Sequence, residues 1–244
     1  MMLTKKIPIF MYHSIESMPK STIMRSLHVP PRRFKFQMWI LNLFGYKGLS
    51  IRELRPYLTG EKKGKVVGIT FDDGYQNVLT NAAPILKKYN FTSTCYIVSN
   101  CIGSSNIWDS PNKITQRPLM SEMEVGSWIG LGMDIGAHTK NHIDLTSISK
   151  EEAKKEIGDC KIELERKYKV KVNDFCYPFG RFNKTISEIT RDLGYLSATT
   201  MKRGKVNLES DIYTLPRIPI NHHTLPHLFL AKILTNYEDR RSSH

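Results

Sequence analysis

Short runs of β-branched and aromatic residues alternate with runs of helical period along most of this chain, and that alternation is the strongest constraint on its fold. A sandwich needs strand after strand, whereas strands separated by helices belong to βα units with a parallel sheet. Strands are expected at 7–12, 66–71, 94–98, 134–137, 174–177 and 196–199. Three intervening helices announce their starts by a Ser or Thr followed three residues later by Glu: Ser121 with Glu124, Ser149 with Glu152, and Thr185 with Glu188. After Ser149 the positions Ala153, Ile157, Cys160, Leu164 and Tyr168 form one apolar stripe on a charged helix. Pro30 and Pro31 open another helix, in which Phe34, Met38, Leu41 and Phe44 share a face before Gly45 ends it. The segment 102–118 reads as a long rim loop, and 239–244 as a frayed tail. No repeat or Gly/Ser-rich linker divides residues 1–244, so one domain is expected.

With 244 residues, 40% of them hydrophobic, the chain has enough apolar material for a core. It contains no apolar run of the roughly 18 residues that a membrane span needs. The opening residues reach Pro8, Tyr12 and His13 without a long apolar stretch, which reads as cytoplasmic rather than secreted. Thirty-six Lys and Arg against 23 Asp and Glu leave a net charge of +13. That charge attracts anions without naming one. Nucleic acid is not expected, because zinc-finger spacing, RNA-binding aromatic motifs and phosphate loops are all missing. Peripheral contact with a membrane or a lipid-linked saccharide fits the charge as well. Cys95, Cys101, Cys160 and Cys176 make no C-x-x-C pair, and buried reduced thiols are expected.

Three strand ends carry the chemistry. The strand VVGITF runs straight into Asp72, Asp73 and Gly74, and C-terminal strand ends are where parallel α/β folds gather functional groups. A tight turn with a helix cap would use the same residues. Adjacent carboxylates at a strand end point in different directions, so one can hold a metal while the other faces its water. In DIGAHTKNH, His138 and His142 are four residues apart, a spacing that offers two nitrogens to one divalent ion. Together with an Asp they make a His₂Asp set, suited to zinc first and to other divalent transition metals as well. In FCYPFGRFN, Pro178 and Gly180 shape a turn whose backbone N–H can face a developing oxyanion.

In this order, IFMYHSI, TFDDGY, GAHTKNHIDL, YPFGRFN and LPRIPI resemble the polysaccharide deacetylase family, carbohydrate esterase family 4 with its NodB-homology domain. The resemblance implies a distorted (β/α)7 barrel and metal-dependent removal of acetyl groups from the amino sugars of a polysaccharide or lipid-linked saccharide. It assigns Asp72 as general base, Asp73, His138 and His142 as metal ligands, and Tyr177 as an oxyanion contributor through its backbone. Two family features are absent: Phe175-Cys176 replaces the usual arginine, and no Leu-x-His motif supplies the acid. The chain further resembles the poly-N-acetylglucosamine deacetylases, whose barrel is circularly permuted; there an N-terminal Tyr-His takes the acid position, here His13, and Arg217 would replace the missing arginine. His222 and His223 rival His13 as the acid. Tyr12, Tyr75, Trp108 and Phe179 are candidate walls for a sugar face. Deformylation, O-acetyl ester hydrolysis and an inactive glycan-binding barrel are the competing functions.

Overall fold

A computed structural model of the chain describes residues 6–241. Eight parallel strands form it: β1 (Ile9–Tyr12), β2 (Lys47–Leu49), β3 (Val66–Phe71), β4 (Thr94–Ile97), β5 (Asp134–Ala137), β6 (Asp174–Cys176), β7 (Ser197–Arg203) and β8 (Leu215–Pro219). Neighbours run β1-β8-β7-β6-β5-β4-β3, and β1 also pairs with β3, so seven strands close on themselves. Phe10 stands opposite Ile218 on one side and Ile69 on the other. β2 lies outside the ring; it borders the first half of β3, and β4 borders the second half. The ring is uneven, with one residue pair joining β5 to β6 and an irregularity between β7 and β8.

The helices on the barrel flanks are α1 (Pro31–Leu43), α2 (Ile51–Leu58), α3 (Ala83–Lys88), α4 (Glu122–Gly130), α5 (Lys150–Tyr168), α6 (Lys184–Asp192) and α7 (Pro226–Leu234). The inner stripes of all of these but α2 join the barrel strands in one continuous core. A smaller cluster gathers Ile9, Val66 and Leu215 from strand starts with Ile51, Leu54 and Leu58 of α2, and plugs the N-terminal end of the barrel. That plug leaves the C-terminal strand ends as the open mouth. Among the described residues no helix is long and apolar enough to cross a membrane.

Both acid-terminated boxes at Ser121 and Ser149 form as expected. The box at Thr185 does not: Asn183 is extended, caps α6 by accepting from the Ile186 N–H, and starts the helix early enough to place Thr185 inside it. Phe44 is the C-cap of α1 and is exposed rather than buried with Phe34, Met38 and Leu41, its ring lying under Lys65. β2 and α2 were not expected; three residues give a strand little pattern, and Pro56 disguises α2. Asp239–Arg241 forms a turn tied down by Lys6 and the Lys205 N–H rather than a frayed tail. The rest of that expected tail, 242–244, lies outside the described residues. All four cysteines are buried and unpaired.

Candidate active site

β3 ends at Phe71, and the ladder continues just far enough for the Asp72 N–H to donate to Tyr12 O at 2.9 Å. The chain then turns sharply: Asp73 and Gly74 both adopt left-handed backbone, at φ 75° and 78°. Glycine does this freely, but an aspartate there is strained. Thr139, His142 and Phe179 share the same unusual region around the mouth, and such outliers concentrate where side chains must be aimed. The turn at Asp73 sends the two carboxylates to different partners.

Asp72 meets Arg217. From β8, Arg217 donates through Nη1 to Oδ1 at 2.6 Å and through Nη2 to Oδ2 at 2.7 Å, a bidentate fork. Its Nε donates to Thr200 O, and Nη1 also reaches Thr70 Oγ1. The guanidinium is wholly buried. Burial alone would raise the Asp72 carboxyl, but the charge and hydrogen bonds of Arg217 outweigh it and hold the group below the usual carboxylate range. Cys176 Sγ touches the same pair, 3.2 Å from Arg217 Nη2.

Asp73 meets the histidines. Its Oδ1 lies 3.4 Å from His138 Nε2 and 3.4 Å from His142 Nε2, and all three residues are buried. His138 Nδ1 is 2.7 Å from Cys176 O, which fixes Nδ1 as the donor and leaves the Nε2 lone pair facing Asp73. The His142 ring is held between Trp108, stacked at 4.3 Å, and Phe179 at 4.7 Å. The residues present fit a divalent ion: two donors each about 2.1 Å from one ion at a tetrahedral angle stand roughly 3.4 Å apart. That separation suits a shared ligand better than a direct hydrogen bond.

His13, just past β1, places Nε2 3.9 Å from Asp72 Oδ2. His13, Asp72, Asp73, His138, His142 and Tyr177 line one cavity of about 140 Å³. Arg217 lies behind its wall. Tyr177 donates its hydroxyl to Tyr213 O, and its N–H faces Thr199 O at a long 3.3 Å, so that N–H is loosely engaged rather than free. His222 and His223 line another part of the surface and do not reach the cavity. Of the expected sugar walls, Trp108 and Phe179 border it, but Tyr12 and Tyr75 do not. Tyr12 points into the core and donates to Gln37, and Tyr75 is buried, because both sit on segments whose side chains pack inward. Sequence reading missed Asp109, Met24, Leu27 and Met201 on the rim. Asp109 is held in place locally, where buried Asn106 donates to its Oδ2 at 2.8 Å.

A closed parallel barrel with a carboxylate, two imidazoles and an arginine-held aspartate at its mouth defines a hydrolase site built for a divalent metal. The family model described as polysaccharide deacetylase matches residues 59–198, more than half the chain, and the chain belongs to that family. The match stops short of β1 and β8, the strands that bring His13 and Arg217. A putative polysaccharide deacetylase of Bacillus subtilis, YxkH, is 29% identical over 218 residues, 88% of this chain and 72% of that protein. The poly-β-1,6-N-acetyl-D-glucosamine N-deacetylase of Staphylococcus epidermidis is 28% identical over 230 residues, 89% of this chain and 76% of its own. Among solved structures, the Streptococcus pyogenes deacetylase PplD in complex with acetate superimposes with a TM-score of 0.82 at 28% identity, over 94% of this chain and 99% of that one.

Proposed function

We propose that residues 1–244 form one deacetylase domain that hydrolyses the acetamide of N-acetylated amino sugars in a polysaccharide or lipid-linked saccharide. The observation that carries this reading is the convergence of Asp73, His138 and His142 beside a carboxylate already held ionised by Arg217. Those three residues would hold a divalent ion, zinc before other transition metals, which when bound polarises an acyl oxygen and acidifies a water. Asp72 accepts the proton of the water that adds to the acetyl carbon; Arg217 keeps it ionised and fixes both its oxygens. The Tyr177 N–H, weakly spent on Thr199 O, swings its hydrogen bond toward the oxyanion. His13, reaching Asp72 through Nε2, donates a proton to the departing nitrogen as the C–N bond breaks, leaving acetate and a free amine. Trp108, Phe179 and Asp109 on the rim contact the sugar. Four buried unpaired thiols support a reducing, cytoplasmic location.

The test is release of free amine and acetate from N-acetylglucosamine oligomers by metal-loaded protein. Asp72→Asn should lower turnover by roughly 10²–10⁴-fold with metal retained. Equal turnover in that variant, or none in the parent protein, overturns the reading.

A further inference from the structure

α1 presents apolar residues on both faces. Phe34, Met38 and Leu41 are fully buried against the barrel, as a flank helix requires. The outer face should then be polar, yet Phe36, Trp39 and Leu43 are 36%, 44% and 61% exposed. Spacings of three and four residues place them on one stripe. The Phe36 and Trp39 rings stand 5.4 Å apart, and with Arg32, Lys35, Lys88 and Tyr89 they line a shallow depression. Single exposed apolar residues are ordinary; a contiguous stripe of large ones marks a contact surface.

Charge identifies the partner. Neither 17–52 nor 74–108, the segments that supply α1 and α3, contains a single Asp or Glu. Their cations gather around aromatic rings: Lys88 Nζ is 5.8 Å from the Tyr89 ring, and nearby Lys65 is 4.8 Å from Tyr46 and 5.9 Å from Phe44. Two copies of this face would set cation against cation, which argues against a self-dimer. An anionic bilayer offers what both parts lack: phosphates for the cations and an apolar layer for Phe36, Trp39 and Leu43. We propose that the outer face of α1 seats the protein on an anionic lipid surface. α1 descends from the mouth, where β1 ends, toward the plugged end, where β2 begins. The barrel therefore lies on its flank, and the mouth stays open beside the membrane. This contact is independent of the hydrolytic reaction.

Sedimentation of the full chain with vesicles tests it, using phosphatidylcholine alone and phosphatidylcholine with phosphatidylglycerol. Binding to the anionic vesicles alone, weakened by salt and accompanied by a blue shift of Trp39 emission, is expected. Phe36→Ser with Trp39→Ser should weaken it by roughly tenfold or more, as should Arg32→Glu with Lys35→Glu. Both variants should keep parental melting and parental hydrolysis of a soluble acetylated substrate. Lys154→Glu with Lys155→Glu on α5 should leave vesicle binding unchanged. The proposal is overturned by any of three results: no vesicle binding by the parent, an equal loss in the α5 variant, or a dimer in sedimentation velocity that the Phe36 and Trp39 changes dissolve.

Discussion

Arg217 and Asp72 form a buried pair that neither residue could leave without cost. Arg217→Met strands a buried carboxylate and should destabilise the protein by about 3–5 kcal/mol in urea unfolding. Arg217→Lys keeps the charge but loses the fork. With fewer hydrogen bonds to the carboxylate, burial gains ground, Asp72 titrates higher, and the acid limb of kcat/KM should move up in pH while the alkaline limb stays. His28 offers a separate test. Burial, then the nearby charge of Arg117, pushes its imidazole down to about 4. The unfolded chain therefore binds a proton that the folded one refuses between the ordinary value near 6.5 and about 4. Stability is complete above that window and falls through it as pH drops, by up to about 3 kcal/mol. His28→Gln should flatten that slope, read from urea midpoints at pH 7 and pH 4.5. His13→Ala should cut turnover by roughly 10²–10⁴-fold while zinc content is unchanged; an unaltered rate moves the acid elsewhere.

At the level of elements, Asn183→Ala should cost about 1 kcal/mol by removing the cap of α6, and Thr185→Ala should cost much less, as measured by chemical denaturation. The two are two residues apart, and a Thr-x-x-Glu pattern hid the better cap. The same contrast explains what sequence can disclose. A strand such as β3 was legible because a buried parallel strand is a dense apolar run. Asp72, Asp73, His138 and His142 were legible because they follow such runs directly. Arg217 sits inside the five residues of β8, and only the closing of the ring brings its fork onto Asp72, so its role came from resemblance and not from pattern. Tyr12 and Tyr75 misled for the converse reason: proximity to a strand end does not decide which way a ring points. Asp109 belongs to an irregular segment whose order rests on Asn106 bonding both Asp109 and the Arg117 N–H, contacts with no periodic trace.

For the molecule as a whole, Asp73 just past the end of β3 and the two histidines after β5 meet across the end of β4, so an ion shared among them would tie together two staves that do not pair with each other. Zinc at about a hundredfold over its dissociation constant should add about 2.7 kcal/mol to stability. Thermal melts with zinc and with a chelator measure it, and Asp73→Asn should abolish the difference. Asn is the right replacement because it tolerates left-handed backbone better than Ala, which would mix ligand loss with local relaxation. The seam of the barrel has another consequence. β1 comes before every other described strand in the chain, yet one of its two neighbours, β8, comes after all of them. Throughout elongation Phe10 and Met11 must wait with one hydrogen-bonding edge unsatisfied, open to strands of other nascent chains. Yield in the cell should then depend on how quickly the ribosome delivers the final stave.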